Sequence, residues 1–201
     1  TLLLSLTAAS QNQVAIFAGP QASTANYSIQ NQKQDTKMKY GFQGGAMARM
    51  QFEGKLYFAP AVFYSMKGYK VNFTRPSFPP DSLAIDNDVT VHTFEFAPML
   101  QYNFSESEGH FFIKAGPSID LQLFGKEKFN KSSGPAVSRN MKFSYGDYGR
   151  FGANLLLHLG YETSSGLIIY AHYTHGVATI VNTDNGPTVR HRAVGLSVGK
   201  F

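Results

Sequence analysis

The sequence predicts an all-β fold, an eight-stranded antiparallel up-and-down β-barrel that crosses a membrane. Three observations support this: apolar residues repeat with a period of two, connections alternate between short and long, and aromatic residues abound while charges are few. The 201 residues include 17 Phe and 11 Tyr, and only 15% are charged. A membrane barrel tolerates this composition because only every second strand residue faces lipid.

The period of two is sustained for about eleven residues at a time in four segments, the length that a tilted membrane strand requires, and it is weaker in four others. Each segment has Phe, Leu, Tyr, Ile or Val on one face and small or polar residues on the other. The eight segments, in chain order, are 14–20, 40–52, 56–66, 94–104, 111–123, 151–161, 167–173 and 194–198. An even number of strands is what an up-and-down membrane barrel requires.

The connections alternate in length. Three are short and contain Gly, at 53–55, 105–109 and 163–166. Four are long and polar, at 25–38, 68–90, 125–144 and 177–189. Outer-membrane barrels have short periplasmic turns and longer extracellular loops. The pattern therefore predicts both termini in the periplasm and four long loops outside the cell.

The bulky faces are predicted to contact lipid, because eight strands enclose an interior only wide enough for side chains. A soluble lipocalin-like barrel, with its apolar face inside, is the alternative. Proline in the middle of a strand conflicts with an ideal ladder, since it has no N–H to donate. We expect bulges or unpaired positions at Pro20, Pro60, Pro98 and Pro117.

The first ten residues are interpreted as the remnant of an export signal. A short apolar stretch, Leu2 to Leu6, is followed by small residues at Ala8, Ala9 and Ser10 that suit signal cleavage. A first strand beginning at Leu2 is the alternative. Residues 11–201 are then one barrel domain, and the absence of Cys excludes a disulfide framework.

Four segments resemble the PorT-like outer-membrane β-barrel proteins, which are often described as porin family proteins. They are FAPAVFYSMKG at 58–68, FEFAP at 94–98, AGP at 115–117 and GLSVGKF at 195–201. The resemblance implies a porin-like barrel in the outer membrane of a Gram-negative bacterium. The sequence departs from the family pattern at Gly199, where the family often has an aromatic residue. Phe201 is also out of phase with Val194 and Val198, which leaves the register of the last strand open.

A set of polar residues is predicted to face the lumen at two heights and to form hydrogen-bonded ion pairs. An unpaired buried charge would be strongly destabilising, so the charges are expected to pair. The set consists of Arg49, Lys67, Glu95, Gln101, Lys114, Asp120, His158 and Tyr170. A lumen filled in this way would conduct nothing larger than water or an ion; a functional pathway is the alternative.

Basic residues concentrate in the third long link and its flanks. They are Lys126, Lys128, Lys131, Arg139, Lys142 and Arg150. One hypothesis is that this loop binds lipopolysaccharide phosphates; the other is that it is merely solvated. Nucleic acid is not expected as a partner.

No enzyme is predicted, because no nucleophile elbow is present. His172 and His175 are three apart on a strand and should face opposite sides, so neither a metal nor a cofactor is expected. The favoured function is a structural or interaction protein, or an accessory subunit of an outer-membrane complex that contacts lipid and other outer-membrane proteins. The alternative is a narrow porin-like channel for small solutes, and an enzyme, for which Asp147, Asp184 and His175 at the outer rim are the candidate residues, ranks last.

Overall fold

A computed structural model describes residues 13–201 as a single antiparallel sheet that closes on itself. The predicted eight-stranded barrel is confirmed, with each strand antiparallel to its neighbours and the last paired with the first. The strands are β1 Gln13–Ile29, β2 Asp35–Glu53, β3 Leu56–Phe58 with Ala61–Asn72, β4 Asp86–Ala97 with Leu100–Asn103, β5 His110–Phe129, β6 Phe151–Glu162, β7 Leu167–Gly176 and β8 Thr188–Lys200. The predicted signal remnant at 1–10 lies outside the described residues.

Two short strands extend the barrel. Gln32–Lys33 pairs with the end of β1, and Val137–Asn140 pairs with the end of β5. The pairing of β8 with β1 runs from Ser28 opposite Thr188 to Ile16 opposite Lys200, which defines the register of the last strand. Phe201 follows β8 and packs against the buried interior, so its ring is not part of the outer face.

The bulky face of every strand points away from the lumen, as predicted. On β5 the exposed fractions of Phe111, Ile119 and Phe124 are 65%, 57% and 57%. Aromatic side chains border this band at the short-turn end, where the Phe111 and Tyr161 ring centres are 4.9 Å apart. Aromatic borders flank the apolar band of barrels that span the outer membrane.

Three of the four strand prolines lie in one lateral row. Pro60 and Pro98 occupy the interruptions of β3 and β4. The flanking register places Pro60 beside Pro98 and Pro98 beside Pro117, and the ladders are interrupted there. Pro20 stays within β1, where the ladder to β8 skips two positions. Aligning the prolines concentrates the lost hydrogen bonds at one height on three adjacent strands.

The prediction of four long loops is wrong for the first and needs correction for the second and third. β3 continues to Asn72 and β4 begins at Asp86, so the second link, predicted at 68–90, spans only 73–85. β1 and β2 are joined by a tight turn at Gln30 and Asn31, whose φ angles are +47° and +64°. β5 continues to Phe129, well inside the link predicted at 125–144. In these segments the outward residues are mostly polar and the inward residues mostly apolar, with Glu127 as a buried exception, so they extend the strands beyond the lipid-facing band rather than forming loops.

Two buried clusters fill the barrel, one toward each end. The cluster nearer the short turns contains Ala15, Phe17, Met47, Ala61, Phe63, Ala97, Met99, Phe112, Leu156, Ile168 and Tyr170. The cluster nearer the long links contains Ala25, Tyr27, Ile29, Tyr69, Val71, Val89, Val91, Met141, Tyr148, Ile180, Val181 and Val189. Polar side chains occupy the lumen between them.

Candidate functional site

The short-turn end of the lumen is closed around Arg49. β2 places Arg49 opposite Gln13 of β1, with its side chain directed inward. The guanidinium donates to both carboxylate oxygens of Glu162, one of them at 2.9 Å, and to Gln13. The Phe201 ring centre lies 4.2 Å from the guanidinium carbon, a cation–π distance. A bidentate ion pair and an aromatic ring therefore block this end.

Lys114 lies in the next layer, on β5. Register places it between Gln101 of β4 and His158 of β6, and it is 2% exposed. Its ammonium contacts the Met47 sulfur at 3.0 Å and lies 5.6 Å from the Phe112 ring centre. These soft contacts stabilise a cation less than a carboxylate would, so Lys114 is a costly residue to bury.

The centre of the lumen holds one ammonium and two carboxylates. Lys67 Nζ is 2.5 Å from Glu95 Oε1 and 3.2 Å from Asp120 Oδ2. Glu95 and Asp120 are direct neighbours across β4 and β5, so the strand register itself brings them together. Thr93 and Ser118 also donate to Glu95, at 3.2 and 3.5 Å. Hydrogen bonds of this kind reduce the penalty of burying the ions.

Three imidazoles line the same lumen. The rings of His158 and Tyr170 stack with centres 4.9 Å apart, and His172 lies 6.0 Å from His158. Gln43 lies within hydrogen-bond distance of His172 Nδ1, at 3.3 Å. Both nitrogens of His191 are buried and have no partner in the described part of the chain. Buried polar atoms of this kind are normally hydrogen-bonded to ordered water.

The long-link end is closed by an apolar cluster around one carboxylate. Glu127 is fully buried and accepts hydrogen bonds from Tyr148 at 2.9 Å and from Arg139 at 2.7 Å. Tyr27 and Tyr69 pack beside them, with ring centres 6.0 Å apart. Burial raises the pKa of the Tyr148 hydroxyl well above its ordinary range, and nearby Tyr69 and Glu127 raise it further. Tyr148 therefore stays protonated and can donate to Glu127.

All eight residues predicted to face the lumen are buried in it. The structure brings Lys67, Glu95 and Asp120 into one ion cluster, and it stacks Tyr170 on His158. The others are separate: Arg49 binds Glu162, Gln101 donates to Asn103 at 2.8 Å, and Lys114 contacts sulfur. The predicted set therefore divides into several layers rather than one network.

Sequence reasoning missed the two carboxylates that close the ends. Glu162 is 113 positions from Arg49, and only ring closure brings them together. Its place on the same face of β6 as His158 was the available signal. Glu127 lies within the third link predicted at 125–144, and the strand pattern that directs it inward is recognisable only once β5 is seen to continue to Phe129.

The predicted basic loop is not one patch. Lys126 and Lys128 lie on the outer face of β5, while Arg139 is bound to Glu127. Lys131 forms an ion pair with Asp81 at 2.7 Å, and that hydrogen bond lowers the pKa of the Asp81 carboxyl.

Of the same set, Lys142 and Arg150 are exposed, and the Arg150 guanidinium lies 5.4 Å from the centre of the Phe143 ring. Two of the six predicted charges are thus paired with carboxylates, two lie on the outer face of β5, and two are exposed in the link that follows.

Residues 13–201 contain no group of three or more His, Cys, Asp or Glu side chains placed to hold a metal ion. His172 is buried in the lumen whereas His175 lies on the outer face, where its Nδ1 is 3.2 Å from the Tyr173 hydroxyl. No helix in the described part of the chain is long and apolar enough to cross a membrane.

An apolar exterior, a lumen with buried charged and polar side chains at its centre, and a ring without free edges define a β-barrel that spans the outer membrane. The chain belongs to the family described as the outer membrane protein beta-barrel domain, which matches residues 8–182. No curated protein matches the sequence.

Several solved structures are similar. Neisserial surface protein A is 17% identical, with 92% of this chain and 97% of that chain covered and a TM-score of 0.45. Another is Ail, the attachment invasion locus protein of Yersinia pestis, crystallised with the heparin analogue sucrose octasulfate. It is 15% identical, with 94% of this chain and 98% of that chain covered and a TM-score of 0.44. OprG from Pseudomonas aeruginosa is 9% identical, covers 92% and 95%, and has a TM-score of 0.44.

Proposed function

We propose that this outer-membrane barrel is a non-conducting structural or interaction protein, or an accessory subunit of an outer-membrane complex. Its lumen is filled, and its contacts are made by the outer surface and the long links. In this proposal the short turns face the periplasm and the long links face the exterior. The PorT-like assignment, based on the segments at 58–68, 94–98, 115–117 and 195–201, is part of the same proposal.

The observation that carries the proposal is the closure of the lumen at three heights. Arg49, Glu162 and Phe201 close one end, and the cluster around Glu127 closes the other. Between them the ion cluster of Lys67 occupies the centre. A conducting pore would need a continuous polar path, and the apolar cluster of buried Val, Ile and Tyr residues interrupts it.

The experiment is a planar-bilayer recording on the purified barrel. The intact protein should show no unitary conductance in molar KCl. A triple variant, Tyr27→Ala, Tyr69→Ala and Tyr148→Ala, removes three buried rings from the cluster around Glu127 that closes the long-link end. A double variant at exposed positions, Tyr40→Ala and Tyr145→Ala, controls for the loss of tyrosine rings outside the lumen. Steady ion conductance by the intact barrel would contradict a sealed lumen.

A narrow channel for small solutes is the second candidate. The observation that favours it is the group of buried lumen atoms without protein partners, which includes both His191 nitrogens and the Gln122 amide. Water held there would give a hydrated centre. The same bilayer recording separates the two functions, since a hydrated but closed centre conducts no ions.

The partners proposed are outer-membrane lipid, including lipopolysaccharide, and other outer-membrane proteins. Proteins that co-migrate after mild solubilisation of native membranes, identified by mass spectrometry, would reveal an assembly. Comparison with membranes that carry the same barrel with substituted long links would show whether those links make the contact.

A further inference from the structure

An aromatic row on the outer surface marks the upper edge of the lipid-facing band, where upper means toward the long links. The Phe42 and Tyr64 ring centres are 5.5 Å apart, and Tyr64 is hydrogen-bonded to His92. His92 stacks on Phe124 at 4.3 Å with an interplanar angle of 21°. We call Phe42, Tyr64, His92 and Phe124 the upper aromatic row. Such rows lie at the boundary between hydrocarbon and headgroups.

Exposed and half-buried cations lie on the outer face toward the long links, beyond the level of this row. On β5 the outward residues above Phe124 are Lys126 and Lys128, and on β8 the outward residues above Val194 are Arg192 and Arg190. Two further cations, Lys37 on β2 and Lys70 on β3, are paired with each other in the register. We call these six residues the cation band: Lys37, Lys70, Lys126, Lys128, Arg190 and Arg192.

The cation band spans the headgroup layer and a few ångströms beyond it, since Lys126 is about half as far above Phe124 as Lys128. Lys128 is four residues above Phe124, about 13 Å along the strand. Strands tilted by about 40° convert this to about 10 Å along the membrane normal. The headgroup layer of each leaflet is about 5–7 Å thick beyond the hydrocarbon edge. Flexible Lys and Arg side chains at this height reach the phosphate level.

Few acidic groups balance the cation band. Asp88 lies between Lys70 and Lys128 in the register, and Lys70 Nζ is 3.2 Å from its Oδ2. The same carboxylate also binds Lys39, which lies beside the band. Asp35 and Asp86 lie two residues farther toward the long links on β2 and β4, so three carboxylates offset only part of the charge of the six band cations and Lys39, and the remaining positive charge attracts anions.

The opposite membrane border has a different charge. Glu53, Glu106 and Glu108 are exposed at the short-turn end, beside Lys55 and Lys200. The excess of cations is therefore confined to one side of the membrane. A general preference for soluble, charged strand ends would have produced it on both sides, so it points to an anionic layer on one side only.

We infer that the cation band binds the phosphate groups of the phosphorylated glycolipid of the outer leaflet, lipopolysaccharide. This inference rests on the proposed orientation, which places the long links outside. Neighbouring cations on β8 and on β2 to β5 can each donate charge-assisted hydrogen bonds to phosphate oxygens. The site lies on the strands and differs from the loop set predicted from sequence, since only Lys126 and Lys128 are common to both.

The test measures how tightly the detergent-solubilised barrel binds fluorescently labelled lipopolysaccharide. The band variant carries Lys37→Gln, Lys70→Gln, Arg190→Gln and Arg192→Gln. The control variant removes as many exposed or partly exposed cations elsewhere, with Lys33→Gln, Lys55→Gln, Arg75→Gln and Lys142→Gln. Folding of each is checked by heat-modifiable migration in electrophoresis. Should the band variant fail to fold, the double variant Arg190→Gln with Arg192→Gln is compared with Lys33→Gln with Arg75→Gln.

We expect the band variant to bind at least tenfold more weakly and the control to stay within about twofold of the intact barrel, in line with the contribution of each cation near an anionic surface. Unlabelled lipopolysaccharide should compete, whereas dephosphorylated lipopolysaccharide, phosphatidylglycerol and inorganic phosphate should compete at least tenfold less well. Undiminished binding by the band variant, or equal competition by any of those three, would overturn the inference. Ion conductance in the planar-bilayer recording would refute the sealed lumen but would not change the measured affinity for lipopolysaccharide.

Discussion

Lys67 and Glu95 form an ion pair of 2.5 Å in the middle of the barrel, and each side chain is only 1% exposed. Asp120 is the second carboxylate on the same ammonium, at 3.2 Å. The two acids face each other across a ladder, so the lysine is what holds two adjacent buried carboxylates in place. Removing either kind of charge alone therefore has very different consequences from removing all of them.

The substitution Lys67→Met should destabilise the barrel by about 3–5 kcal/mol, the usual result of leaving buried charge without its partner. The triple variant Lys67→Met, Glu95→Gln and Asp120→Asn should recover most of that loss, since no buried charge remains. Urea-dependent unfolding in lipid vesicles gives both values.

Lys70→Met is the matched control, because Lys70 is on the same strand and its side chain is 54% exposed. It should change the free energy of unfolding by less than about 1 kcal/mol. Equal effects of the two lysine substitutions would show that the central ion cluster is not closed to water.

The lipid-facing part of the fold could be predicted from the sequence, and the part above it could not. Within the membrane, alternation places Phe94 outward and Glu95 inward, which predicts the face of each residue. Above the upper aromatic row the surroundings change from lipid to headgroups and water, so the polarity of the two faces inverts. Val89 is buried and Asp88 points outward on the same strand. The strand continues, but its apolar residues now face the interior. A search for apolar residues on the outer face therefore assigns this part of the strand to a loop.

The candidate site was predictable only in part for a related reason. Period two shows which residues face the lumen, as it does for Lys67 and Asp120. It does not show which of them meet, since that depends on register and ring closure. Arg49 and Glu162 lie on β2 and β6, on different sides of the ring, and meet only because the lumen is narrow.

Tyr148→Phe tests the closure around Glu127. The substitution removes a hydroxyl that donates at 2.9 Å to a fully buried carboxylate, so it should cost about 1–3 kcal/mol of unfolding free energy. Tyr145→Phe, three positions earlier and 85% exposed, should cost less than about 0.5 kcal/mol. Urea unfolding monitored by tyrosine fluorescence compares them. Similar values for both would mean that Tyr148 does not support the buried carboxylate.

The proposed orientation can be read by cysteine labelling, since the sequence contains no Cys. Ser133→Cys is in the link after β5, and Ser164→Cys is in the short turn after β6; both positions are exposed. In intact cells a membrane-impermeant maleimide should label the first and not the second, and permeabilising the outer membrane should make both react. Labelling of Ser164→Cys alone in intact cells would show that the barrel has the opposite orientation, with the short turns outside.

Arginine substitutions on the outer face test how deep each residue lies in the bilayer. Leu157 is in the middle of the lipid-facing stretch of β6, and Val14 is at the short-turn end of β1; their exposed fractions are 39% and 62%. Leu157→Arg should destabilise the folded barrel in lipid by about 2–4 kcal/mol, because a charge near the midplane is costly, whereas Val14→Arg should cost about 0–1 kcal/mol.

Reversible folding into lipid vesicles measures this difference. The same pair compared in detergent micelles should differ less, because a micelle deforms around a charge more easily than a bilayer does. If Val14→Arg destabilised the folded barrel in vesicles more than Leu157→Arg does, the height assumed here for the hydrocarbon band on the strands would be wrong. The position of the upper aromatic row relative to the headgroups would then have to be revised as well, since both follow from the same alignment of the barrel with the membrane.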